Sequence, residues 1–276
     1  MSRVSKDRST GMTRRQGLLL GGGAILSAMP LFAAAAAAQP GAWQRLEEAR
    51  QVVGDASPVI DGLTLDLPLV TEDGSAVPLA FHAEAAMDEA DRVESVHVFA
   101  PGNPTPELAA FHFTPLAGRA EIHTRVRLNE SQTVIAVARM ASGEVRVAER
   151  EIRVTTTGCL LRDETYPEDG VMQARIRAPE RLAPGEPVEV LTMINHPMET
   201  GLRTDASGET LPKRIIERFE ARIDGEPAVT ADLHRSVAAN PYLRFYVAPR
   251  EDSELILTWV EDTGARVIET AMLQVL

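Results

Sequence analysis

From residue 63 to the C-terminus the chain is written in short runs of alternating apolar and polar residues, and few folds other than stacked antiparallel β-sheets accept that pattern. Leu63, Leu65 and Leu67 alternate with Thr64 and Asp66, and Val77, Leu79 and Phe81 follow the turn Glu72-Asp73-Gly74. Val96 and Val98 bracket His97, and Phe111 and Phe113 bracket His112. Ile122, Thr124 and Val126 share one face of their run, while His123, Arg125 and Arg127 share the other. Thr133–Ala138 is apolar throughout, as suits a strand covered on both faces. Val145 and Val147 fall on odd positions but Ile152 and Val154 on even ones, a change of parity that predicts a bulge between them. Helical spacing is confined to Ala42–Val53, where Trp43, Leu46, Ala49 and Val53 fall on one face.

The strand pattern is interrupted once. Residues 160–170, LLRDETYPEDG, are polar and charged after two leucines and form a linker. Alternation resumes with Met172, Ala174 and Ile176. Asp224-Gly225 is a two-residue hairpin signal between Phe219–Ile223 and Val229–Leu233, and further strands run through Leu243–Val247, Leu255–Trp259 and Arg266–Leu273. No βαβ unit appears, which argues against a parallel sheet. The expected architecture is all-β: a β-sandwich over 40–157, a linker over 158–170 and a second β-sandwich over 171–276, with a short helix ahead of the first.

The N-terminus belongs to export rather than to the fold. Arg3, Lys6, Arg8, Arg14 and Arg15 precede an apolar run that begins at Leu18 and ends in Ala33–Ala38. Thr13-Arg14-Arg15-Gln16-Gly17-Leu18-Leu19 has the form of a twin-arginine signal, so residues 1–38 are expected to be a cleaved leader, with Arg14 and Arg15 its signal residues. The mature protein is then expected in the periplasm, with no stable membrane insertion. Gly21-Gly22-Gly23 and Pro30 argue against a retained membrane span. The whole chain carries a formal charge of −12, and loss of a leader of charge +4 leaves −16. So acidic a chain lacks the electrostatic footprint of a nucleic-acid binder, and none is expected as a partner.

Catalytic patterns are absent. There is no Gly-rich phosphate loop, CxxC, HExxH or GxSxG, so no catalytic residue, no cofactor and no metal site is expected. The six histidines show no metal-ligand spacing, and His97, His112 and His123 lie opposite the apolar face of their strands. His196-Pro197-Met198 could offer two soft-metal ligands, but the proline favours a plain turn after Val188–Ile194. One cysteine remains, Cys159, behind Thr157-Gly158 at the exit of a strand. A lone thiol in an oxidising compartment is buried, joins two chains or does chemistry, and this position favours exposure.

The first half resembles SoxY in Leu63-Thr-Leu-Asp-Leu-Pro68, Glu94–Ala100, Asn103-Pro104, Phe111–Gly118 and Gln132–Ala138, and it closes on Thr157-Gly158-Cys159. The second half resembles SoxZ in Ile194–Gly201, Pro212–Ile216, Ala238–Tyr242, Phe245-Tyr246 and Thr258-Trp259. The resemblance implies tandem immunoglobulin-like sandwiches that pair within the chain. It also implies a non-enzymatic carrier of sulfur intermediates attached covalently to Cys159, with Thr157 and Gly158 supporting the cysteine. The implied partners are periplasmic sulfur-oxidation (thiosulfate-oxidising) enzymes and c-type cytochromes. Fused chains of this kind also accompany PQQ-dependent quinoprotein alcohol dehydrogenases. That implies an alternative role as an accessory or docking protein of such a dehydrogenase, with Cys159 incidental.

The sequence departs from the family at the arm. The family's arm ends Gly-Gly-Cys-Gly-Gly at a free terminus, whereas here Leu160-Leu161 follow Cys159 and the chain continues. At full extension the apex of such a loop reaches roughly 15–18 Å, and a cysteine at its shoulder reaches less unless Thr155–Gly158 peels from the sheet. A carrier built this way is expected not to enter a deep, narrow channel.

Overall fold

The computed structural model describes residues 41–156, 170–205 and 207–276. The first half contributes β1 (Leu63–Asp66), β2 (Val70–Thr71), β3 (Val77–Ala83), β4 (Val93–Phe99), β5 (Glu107–Phe113), β6 (Ala120–Val126), β7 (Gln132–Met140) and β8 (Val145–Val154). The second contributes β9 (Gln173–Arg177), β10 (Arg181–Leu182), β11 (Val188–Asn195), β12 (Ile216–Ile223), β13 (Glu226–Leu233), β14 (Tyr242–Val247), β15 (Ser253–Glu261) and β16 (Arg266–Val275). These are tandem immunoglobulin-like β-sandwiches. Both layers run through both halves: one sheet has the order β1-β3-β6-β14-β11-β9, the other β10-β16-β15-β12-β13-β5-β4-β7-β8-β2.

The alternation read from the sequence sets which faces are buried. Leu79, Phe81, Ile122 and Val126 from one layer meet Val96, Phe111, Val134 and Ala136 from the other. The same apolar core continues through Phe219, Phe245, Leu257 and Trp259 of the second half. Phe219 is its centre there, 4.5 Å from the Trp259 ring and 5.6 Å from that of Phe245. Burying side chains of this size stabilises by about 1.5–3 kcal/mol each. The hairpin between β12 and β13 turns on Asp224 and Gly225 at φ 50° and 87°, the left-handed pair that a two-residue turn of this hand requires.

Two local expectations are corrected. The N-terminal helical segment is two short helices, α1 (Ala42–Arg45) and α2 (Glu47–Val53), parted at Leu46, whose backbone is extended. The predicted bulge in β8 is absent: β7 and β8 pair without a break from Gln132↔Ile152 to Arg139↔Val145. Parity changes because the strand is covered on opposite faces at its two ends. Val145 and Val147 lie with Ile135, Val137 and Phe99 beneath Ala42, Ala49 and Val53 of the helices, whereas Ile152 points into the main core. The same helices explain the unbroken apolar run of β7, in which Val134, Ala136 and Ala138 face the core while Ile135 and Val137 face the helices. Among the described residues, no helix is long and apolar enough to cross a membrane.

Candidate functional site

Cys159, its supporting residues Thr157 and Gly158, and the signal residues Arg14 and Arg15 all lie outside the described residues. The structure does describe the two points from which the cysteine segment starts and to which it returns. On the near side, Thr155 and Thr156 remain in the sheet network. The Thr155 N–H donates to the Thr71 carbonyl at 3.1 Å, and its hydroxyl lies 3.3 Å from the same oxygen. The Thr156 carbonyl accepts from the Gly74 N–H at 2.9 Å. Ser131 Oγ accepts from the Val154 N–H at 3.0 Å, binding the last residue of β8 to the neighbouring loop. On the far side, the Gly170 carbonyl accepts from Asn195 Nδ2, and Met172 N–H donates to the Asn195 carbonyl at 2.9 Å.

Both points lie at one end of the sandwich, where β1, β6 and β11 finish and β3 and β14 begin. The buried Asn103 organises this end with all four of its hydrogen-bonding positions in use. Its Nδ2 donates to the Arg127 carbonyl at 2.8 Å and to Ser236 Oγ at 2.9 Å; its Oδ1 accepts from the Asn129 N–H at 2.9 Å and from Gln132 Nε2 at 3.2 Å. Arg127 then crosses between halves, its guanidinium donating to the carbonyls of Met198 at 2.6 Å and Pro197 at 3.1 Å.

The loop that Arg127 grips is His196-Pro197-Met198, and its side chains are already employed. His196 Nδ1 accepts from the Met198 N–H at 3.0 Å, and Nε2 lies 2.9 Å from the Glu261 carboxylate. A ring that accepts at Nδ1 and donates at Nε2 is neutral, and burial agrees: it pushes the His196 pKa below the ordinary histidine value, against the opposing pull of Glu261. Burial disfavours the charge on Glu261, but hydrogen bonds from Thr263, His196 and Arg214 outweigh it and hold the carboxyl below its usual range. Met198 Sδ accepts from the Ile216 N–H at 3.2 Å. The motif is therefore the turn that the proline indicated, with its nitrogen and sulfur facing protein donors.

Three other histidines gather on the outer face of the ten-stranded sheet. His97 Nδ1 lies 3.2 Å from Glu107 and His234 Nε2 3.4 Å from it, while His112 Nε2 lies 3.2 Å from Asp232. Hydrogen bonds from His234 and His97, against the cost of burial, bring the Glu107 pKa down to about 2. Among the described residues no group of three or more His, Cys, Asp or Glu side chains is placed to hold a metal. The sequence had assigned Glu107 and Arg127 no role. Arg127 belongs to the basic alternation His123, Arg125, Arg127, the one signal that this strand's polar face serves more than solvent.

The tandem sandwiches, sharing both sheets, define a two-module all-β protein. A family model described as "Sulfur oxidation protein SoxY" matches residues 49–159, and one described as "Sulphur oxidation protein SoxZ" matches residues 176–271. The chain belongs to these two families joined in tandem, as a SoxY–SoxZ fusion. A search of curated proteins finds no match. Among solved structures, the sulfur carrier protein SoxY of Chlorobium limicola f thiosulfatophilum is 22% identical, with 41% of this chain and 97% of that chain covered and a TM-score of 0.34. A superoxide reductase (neelaredoxin) of Ignicoccus hospitalis is 16% identical, with 40% and 84% covered and a TM-score of 0.30.

Proposed function

We propose that this chain is a periplasmic, non-catalytic carrier that holds a sulfur intermediate covalently on Cys159 and presents it to sulfur-oxidising enzymes. The observation that carries the reading is the end of the SoxY match, which covers residues 49–159 and so closes on the chain's single cysteine. Loading with thiosulfate joins Cys159 Sγ to the terminal sulfur; the thiol proton is released, and two electrons leave to an acceptor such as a c-type cytochrome. One thiol per chain prevents an internal disulfide from competing with that bond.

The sheet bonds of Thr155 and Thr156 limit reach. Cys159 stands three positions beyond Thr156, a span of at most about 10–11 Å at full extension. Partner sites that this carrier serves are therefore shallow, and the enzyme must come to the protein surface around Thr71 and Gly74.

Intact mass of the mature protein, purified without reductant beside Cys159→Ala, tests the reading. The expected result is a reductant-removable sulfur adduct on the wild type alone. A thiol that stays unmodified with thiosulfate and a cell extract overturns it. Capture of a quinoprotein dehydrogenase by that unmodified protein would then support the accessory role.

A further inference from the structure

The outer face of the six-stranded sheet has a charge opposite to that of the protein as a whole. Residues paired across neighbouring strands point to the same side of a sheet. Asp66↔Ala80, Ala80↔His123, His123↔Arg244, Arg244↔Leu191 and Leu191↔Arg177 therefore form one row across all six strands and both halves. A second row holds Pro78 and Arg125 in the first half and Tyr242, Met193 and Arg175 in the second. The face thus presents Arg119, Arg125, Arg175, Arg177 and Arg244 against Asp66, Glu84, Glu121 and Glu189. An excess of positive charge on a chain of formal charge −12 is a local feature, not a reflection of composition.

The arginines are also presented in a particular way. Arg119 sits over the Tyr246 ring at 4.6 Å and Arg125 over the Tyr242 ring at 5.9 Å. Arg119 and Arg244 have carboxylate neighbours in Glu121 and Glu189. Among the described residues, Arg125, Arg175 and Arg177 form no ion pair. Between the two Arg–Tyr stacks, β6 and β14 pair only at His123↔Arg244. Beside that pair opens a groove of about 740 Å³ lined by the apolar Leu67, Pro68, Pro78 and Leu79 together with Asp66, His123, Arg125 and Tyr242.

Arginine and tyrosine are the residue types that dominate binding hot spots, and an apolar pocket among them supplies an anchor point. We propose that this face docks an acidic segment of a partner protein, with carboxylates on Arg125, Arg175 and Arg177 and an apolar side chain in the groove. Charge complementarity selects the partner. A nucleic acid fits less well, because its long polyanion would meet the acidic remainder of the chain and gain nothing from an apolar groove. The proposal does not involve Cys159, so failure of the carrier reading leaves it standing.

Fluorescence anisotropy tests it, with a labelled glutamate-rich peptide carrying one leucine, the lysine counterpart, and a single-stranded oligonucleotide of equal charge. The glutamate peptide is expected to bind the mature chain and to weaken with salt, while the lysine peptide does not bind. Combining Arg125→Gln, Arg175→Gln and Arg177→Gln is expected to weaken binding by roughly tenfold or more. Arg218→Gln with Arg222→Gln, on the other sheet, is expected to change nothing. Tyr242→Ala removes a stack and no charge, and is expected to weaken binding as well, which keeps the test decisive if the triple variant unfolds. Failure of the glutamate peptide to bind, indifference to both the arginine and tyrosine changes, or equal binding of the oligonucleotide would overturn the proposal.

Discussion

The two halves of the chain meet along two seams, and the seams are built differently. In the ten-stranded sheet, β5 and β13 pair through five consecutive positions, from Phe113↔Val229 to Ala109↔Leu233. In the six-stranded sheet, β6 and β14 pair at His123↔Arg244, with a further isolated bridge at Val126↔Val237. The first seam is zipped and apolar beneath, with Phe111 and Val229 turned into the core. The second is open, and its charged residues stand around a groove. One seam therefore joins the halves, and that leaves the other free to present side chains to a ligand or partner.

The largest effect is expected where the zipped seam enters the core. Phe111 pairs with Ala231, is 1% exposed and lies 5.4 Å from the Phe81 ring. Phe111→Ala is expected to destabilise by about 3–5 kcal/mol through lost burial and the cavity left behind. Because the core is continuous across the seam, urea unfolding of the variant should remain a single transition followed alike by far-UV dichroism and by tryptophan fluorescence. Two separated transitions would mean that the halves fold independently, and that the zipped seam is an interface, not a shared core.

An intermediate effect belongs to the ionic rim of the same seam. Glu107 of the first half is hydrogen-bonded to His234 of the second and to His97 beside it, and its pKa falls from 4.5 to about 2. A carboxyl depressed in this way contributes stability above 4.5 and loses it as the pH falls from 4.5 towards 2. Its side chain is 30% exposed, so solvent screening limits the contribution to about 1–2 kcal/mol. Glu107→Gln should lower the unfolding free energy at pH 7, read from urea titration, by that much and flatten the loss of stability below pH 4.5. An unchanged acid profile would assign the seam's strength to its apolar side alone.

The strands of both seams were legible in the sequence, and their partners were not. Alternation located β5, β6, β13 and β14, because each buries one face and exposes the other. It carries no information about which edge meets which, since Phe111 buries the same surface whether its neighbour is Val96 or Ala231. The parity change in β8 shows the same limit. Odd and even burial at Val147 and Ile152 was visible, but two helices lying over one end of the strand produce it, and a bulge would have left the same trace. At the candidate site, sequence spacing singled out Cys159 because it is alone. Asn103, Arg127 and Glu107 act through partners from 10 to 133 residues away, such as His97 and Ser236, and such pairings leave no local pattern.

The smallest effect is expected at the open seam. Arg244 lies opposite His123 through its backbone, which substitution of the side chain leaves in place, and its guanidinium also meets the His123 ring at 2.6 Å. Its guanidinium lies 3.4 Å from Glu189, itself 48% exposed, and a pair so close to solvent contributes at most about 0.5–1 kcal/mol. Arg244→Ala should therefore lower the unfolding free energy measured in urea by little more than that, and the effect should fade in high salt. Stability is the wrong place to look for what this side chain does if the face serves binding: its loss should be felt in affinity for an acidic partner while the fold stays intact. A cost comparable to that of Phe111→Ala would show instead that the single pair at His123 holds the halves together, and the two seams would have to be treated as one structural joint.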